Sequence, residues 1–293
     1  MLRVPAILGV VFASCALAGE PVLLGVLEEP QCAKERGVGA RIMFVSERAR
    51  WESLALRDAS PTLDVTERKW TVALDGRSLG TVTLENSSSP GAPQVTDWYY
   101  TRDKLFVPGG NYPSVNNLES FAGWCEAPSR RPLVLVSHSM IRDPAGWKPL
   151  AISNGYRRKL YQPMKLALGT TNVFRCRDPE GLMPEPFDFQ PEDLKLYKVY
   201  RSKTEGILVS IGLDPEGYGC DGVTEPAWLA HWFLLHDAQV DLIGTGMELV
   251  DAGDYDGDGR SEVLFWKSGY NRDGYLLVFD GLRQKAEYTW SYH

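Results

Sequence analysis

Apolar residues along this chain recur either with a period of two or in short unbroken blocks, and most runs are separated by turn residues. A period of two is the spacing of a strand with one buried face; an unbroken β-branched block suits a strand buried on both. On this basis strands are predicted over residues 22–27, 40–45, 206–213, 228–235 and 240–243. Residues 70–84 read as a hairpin, because two alternating runs flank Asp75-Gly76, a pair that accepts the positive φ angles of a tight turn. Residues 275–281 repeat the theme, with five apolar residues ahead of Asp280-Gly281. Pro132-Leu133-Val134-Leu135-Val136-Ser137 is a block of the buried kind. One short helix is predicted after Pro191, where Pro and two acids precede a helix-compatible stretch over 194–200.

Candidate chemistry concentrates in one place. Asp254-Tyr255-Asp256-Gly257-Asp258-Gly259-Arg260-Ser261-Glu262 puts carboxylates at loop positions 1, 3, 5 and 9. Calcium takes six to eight hard oxygen ligands, so alternating acids in a tight loop suit it. Gly257 and Gly259 let the backbone turn. The Arg260 carbonyl supplies a further oxygen, and Glu262 closes the shell. An EF-hand needs a bidentate Glu at position 12 and then a helix. Position 12 here is Phe265, inside Val263-Leu264-Phe265-Trp266, which is a strand by composition. The loop is therefore expected between two strands, 249–253 and 262–266.

This motif resembles the FG-GAP (VCBS-type) repeat of integrin-α-like β-propellers, over roughly residues 244 to 281. The resemblance implies calcium held by the side chains of Asp254, Asp256, Asp258 and Glu262 and by the backbone of Arg260, in a structural role. Glu262 stands where the repeat usually has Asp. The expected fold class is mainly β, a degenerate propeller-like arrangement with one calcium-loop blade; the alternative is two smaller β-domains. The remainder resembles exported proteins without an assigned role.

Residues 1–18 read as a signal peptide: Arg3, an apolar stretch, then Ala16-Leu17-Ala18 as a small-x-small cleavage site. The stretch is too short to span a bilayer, and no later segment is apolar enough. Cys15 leaves a lipoprotein reading open. A secreted or periplasmic location follows. Removing the leader leaves Cys32, Cys125, Cys176 and Cys220, an even set expected to form two disulfides in any of three pairings. The expected organisation is an N-terminal β region over 19–175, a Pro-rich linker over 176–191 and a C-terminal β region over 192–293. The formal net charge of −7 argues against nucleic-acid binding.

Other constellations carry less. Ser137-His138-Ser139 follows a strand but lacks a nucleophile elbow. His231 and His236 are five residues apart, on opposite faces of a strand. Trp98-Tyr99-Tyr100 and Trp290-Ser291-Tyr292 are candidate sugar platforms, though aromatics in β-proteins serve mainly as core. The resulting expectation is an exported, disulfide-containing, calcium-binding module for a protein or carbohydrate ligand. A secreted hydrolase acting on carbohydrate or another polymer and an envelope structural component stay open as alternatives.

Overall fold

A computed structural model describes residues 20–31, 38–47, 49–56, 65–66, 68–86, 98–101, 125, 127–139, 141–169, 173–176, 184–213, 229–269 and 271–292. The predicted signal peptide, Cys32 and Cys220, and with them the predicted disulfide pairing, lie outside these residues. Of Cys176 the backbone alone is described.

The fold is mainly β, built among the described residues from several antiparallel sheets, none of which closes into a propeller. The first sheet holds β1 (Val22–Glu28), β2 (Gly39–Glu47), β3 (Arg50–Ser53), β4 (Lys69–Leu74), β5 (Arg77–Asn86), β6 (Trp98–Thr101) and β7 (Leu133–Val136). Its order is β1-β7-β4-β5-β6-β2-β3, with β1 also pairing β2. The chain then runs through β8 (Lys148–Pro149), α1 (Gly155–Leu168) and the pair β9 (Phe174–Cys176) and β10 (Pro184–Pro186). The second sheet adds β11 (Leu194–Arg201), β12 (Ile207–Leu213), β13 (His231–His236) and β14 (Gln239–Thr245), in the order β14-β13-β12-β11-β8. The third is the up-and-down meander β15 (Met247–Gly253), β16 (Glu262–Gly269), β17 (Arg272–Phe279) and β18 (Gln284–Ser291). No helix among the described residues is long and apolar enough to cross a membrane.

The unbroken apolar blocks are explained by burial on both faces. In β7, Val134 and Val136 join a central core, while Leu133 and Leu135 face a separate one containing Trp70 and Val72. In β13, Trp232 and Leu234 face the central core, and Phe233 and Leu235 face a third core under α1. The central core is shared. Leu24, Phe44 and Val136 of the first sheet pack in it with Phe265, Trp266 and Leu277 of the third. A buried polar group joins the same two sheets: Arg41 Nε donates to Glu28 Oε1 at 2.7 Å, and the Tyr275 hydroxyl bonds the other Glu28 oxygen. The Arg41 guanidinium also lies 4.1 Å over the Trp290 ring.

One local expectation is corrected. The helix predicted over 194–200 is strand β11, preceded by a single 3-10 turn over Pro191–Asp193. Leu194, Leu196 and Val199 enter the core under α1 by pairing with β12, and that burial overrides the Pro-and-acid start signal. The helix that does form, α1, has no acid in its first turn and carries Pro163 inside it. Its inward face is Leu160, Met164 and Leu168, spaced by four. β8, which precedes the Pro-rich segment 176–191, pairs with β11, which follows it.

Candidate metal centre

β15 and β16 run antiparallel and meet at Gly253↔Glu262, so the acidic loop spans 254–261 between two buried strands. Strand entry and exit fall where the sequence placed them. Gly257 (φ 80°) and Gly259 (φ 89°) take the left-handed turns, and a side chain at Gly257 would meet the His138 ring at 3.3 Å. Those turns aim two amides at one carboxylate: Gly257 N–H donates to Asp254 Oδ1 (2.8 Å) and Gly259 N–H to Asp254 Oδ2 (3.1 Å).

Asp254, Asp256 and Glu262 each offer a carboxylate oxygen, and these oxygens lie within 4.8 Å of one another. Asp258 lies outside that group. It is exposed, and its Oδ1 accepts the Arg260 N–H at 2.7 Å. The Arg260 side chain reaches away to pair with Asp280 in the β17–β18 turn. The three-carboxylate cluster is partly screened by Arg142, whose Nε is 3.3 Å from Asp254 Oδ2 and whose side chain is largely exposed. An all-oxygen donor set with excess negative charge fits a hard divalent cation. Three carboxylates fill part of a calcium shell, and backbone carbonyls and water commonly complete it.

Glu262 is buried, and its carboxyl is pushed up to about 9, first by burial and then by Asp256, against the Tyr255 N–H that bonds it at 2.7 Å. Burial also raises Asp256, opposed by its bond from Ser46. Bringing these groups together as anions without a counter-ion is unfavourable.

Partners from distant parts of the chain surround the loop, and sequence reasoning did not find them. Ser46 Oγ on β2 donates to Asp256 Oδ2 (2.9 Å), and Asp254 N–H donates to the Arg142 carbonyl (2.7 Å). Ser261 Oγ donates to Asp143 Oδ1 (2.7 Å), while Asp143 also accepts the Gly146 and Trp147 amides. One layer behind, Asp251 is fully buried. Its oxygens accept from Arg131 Nη2 (3.0 Å), the Asp75 amide (2.8 Å) and the Tyr255 hydroxyl (3.2 Å). Arg131 also reaches Asp75 Oδ1 and the Val250 carbonyl, so the β4–β5 turn is fastened to β15. Burial pushes the Asp251 carboxyl up to about 6, with Arg131 pulling the other way. The Asp75-Gly76 signal placed the turn; nothing local said what the turn would touch.

The other described candidates make contacts within the fold. Ser137 Oγ accepts the Leu23 N–H (2.8 Å), closing a strand end. His231 is buried, stacks on Phe233 and bonds the Leu229 carbonyl through Nδ1 (2.8 Å). His236 is half-buried on the opposite strand face, as its spacing required. Trp290 packs on Trp266, Tyr275 and Tyr288, and Tyr292 donates to Asp273 Oδ2 at 2.7 Å. That aromatic group is core. The side chains of Trp98, Tyr99 and Tyr100 lie outside the described residues. Comparison with known proteins adds no relative: no family model matches the chain, and neither a curated protein nor a solved structure is similar to it.

Proposed function

We propose that this chain is an exported, β-rich binding or interaction protein in which one calcium ion is structural. Asp254, Asp256 and Glu262 are the inner ligands, with Asp258 and the Arg260 carbonyl at the rim. The observation that carries the reading is the convergence of three carboxylates from one short strand-to-strand loop, oxygens within 4.8 Å, against Ser46 of another sheet. The resemblance to an FG-GAP repeat is supported by the setting, because the loop joins the first two strands of a four-stranded antiparallel meander, the shape of a propeller blade. A structural role is favoured over a catalytic one. The buried acids nearby are already committed: Glu28 to Arg41, Asp251 to Arg131 and Asp273 to Tyr292. Export fits the leader-like first 18 residues.

The test is thermal unfolding in chelator and then in about 10 mM calcium. A dissociation constant of roughly 0.1–1 mM gives a gain of about 1.4–2.7 kcal/mol, or roughly 3–8 °C. Asp256→Ala removes an inner ligand and should abolish the shift. Superimposed curves for the unsubstituted protein would sink the calcium reading.

A further inference from the structure

A second site lies where the second and third sheets meet. Between the edge strand β14 and the β17–β18 turn there is a cleft of about 410 Å³, inside the range of small-molecule pockets. Its floor is apolar, formed by Leu234, Ile243 and Leu282, all buried. Leu242 on its lip is one of the few large aliphatic side chains left exposed among the described residues.

The wall is backbone held in an unusual state. Asp280, Gly281 and Leu282 take positive φ in succession (52°, 65° and 63°). Leucine rarely adopts that region, and such strain concentrates where a binding surface needs a particular shape. Here the strained Leu282 forms part of the floor. Gly281 leaves room above it, since a Cβ at that position would come 3.5 Å from Glu205 Oε2. The Glu205 carboxylate therefore overhangs the turn.

The rim carries both signs of charge in equal number: Glu205 and Asp241 against Arg283 and Lys285. Lys285 Nζ donates to the carbonyls of Ile243 (2.7 Å) and Leu242 (3.3 Å), and an ammonium has a third N–H to offer. Those two bonds also occupy two successive carbonyls of β14, and the β13–β14 ladder is bulged at Trp232/Phe233. A lysine and a bulge on an edge strand discourage pairing with another strand. An extended peptide lying along β14 is thus disfavoured, while the cleft beside it stays open.

We propose that this cleft binds a small zwitterion with an apolar side chain, of the class of the free apolar α-amino acids. The ligand carboxylate faces Lys285 and Arg283. Its ammonium faces Glu205 and Asp241, and its side chain rests on Leu234, Ile243 and Leu282. A rim of zero net charge above an apolar floor selects against simple anions and simple cations alike, because each leaves one pair of rim charges without a partner.

The proposal is tested by calorimetric titration of the full chain with leucine, N-acetylleucine and leucinamide. Leucine should bind, and each blocked form should bind at least about tenfold more weakly, having lost one charge-assisted contact. Glu205→Gln and Lys285→Met should each weaken leucine at least about fivefold. Both variants should keep a cooperative thermal unfolding transition near that of the unsubstituted protein, which shows that they fold. The absence of leucine binding overturns the proposal, as does equal binding of a blocked form or indifference to both substitutions. None of these outcomes bears on the calcium reading.

Discussion

Replacing Glu262 by Gln gives a result opposite in sign to ordinary loss of a ligand. Without metal the folded Glu262 carboxyl titrates at about 9, against an ordinary 4.5. A carboxyl raised in the folded state holds a proton there that the unfolded chain has released. Stability from this group is therefore full below pH 4.5 and is lost as pH rises toward 9. At pH 7 the folded protein carries that disadvantage over about 2.5 pH units, which amounts to about 3 kcal/mol. Gln keeps the acceptor for the Tyr255 N–H and has no proton to hold. In chelator at pH 7, Glu262→Gln should thus be more stable than the unsubstituted protein by up to about 3 kcal/mol, or roughly 6–12 °C in melting temperature. Its stability should also lose a pH slope of about 1.4 kcal/mol per unit between pH 5 and 8. In calcium the order reverses, because the ion replaces the proton on the native side chain and gains little from an amide. Urea melts at three pH values, with and without calcium, measure all of this. A variant less stable than the native chain in chelator at pH 7, or one with an unchanged pH slope, would refute the reasoning.

Two other substitutions probe the polar layer behind the loop. Arg131→Met leaves the buried Asp251 carboxylate without its cation and should cost about 3–5 kcal/mol at pH 8. The cost should be smaller at pH 5, below the point near 6 where Asp251 takes up a proton, so denaturant melts at the two pH values must differ in that direction. Gly76→Ala places a Cβ 2.5 Å from the Asp143 Cβ and 2.8 Å from the Ala252 carbonyl oxygen, at a φ of 62°. A loss of about 1–3 kcal/mol is expected in the same assay, and a change under about 0.5 kcal/mol would mean that the turn does not dock on β15.

What the sequence disclosed followed from how local each determinant is. Asp75-Gly76 and Asp280-Gly281 announced hairpins because positive φ is a property of two residues, and both turns formed. The 254–262 loop was legible because its glycines, acids and exit strand are contiguous. Ser46, Arg131 and Arg142 were not legible, being brought to the loop by sheet packing across more than a hundred residues. Strand β11 was read as a helix because Pro191 and its acids form a genuine local start signal, and pairing with β12 decided otherwise. Helix α1 escaped notice because Pro163 and a run of bases obscured three well-spaced apolar residues. Sheets of seven, five and four strands are likewise a property of pairing, for which no repeat in the chain was visible.

The Glu28–Arg41–Tyr275 group bears on how the chain acquires its fold. Glu28 and Arg41 sit on the first two strands, while the hydroxyl that completes them comes from a residue 247 positions later. During synthesis the first sheet therefore presents an ion pair and the apolar surface of Leu24, Phe44 and Val136 with nothing to cover them until almost the whole chain exists. Ordering that surface early gains little, because the long loop must close before burial rewards it. The central core is therefore complete only once the last four strands are in place.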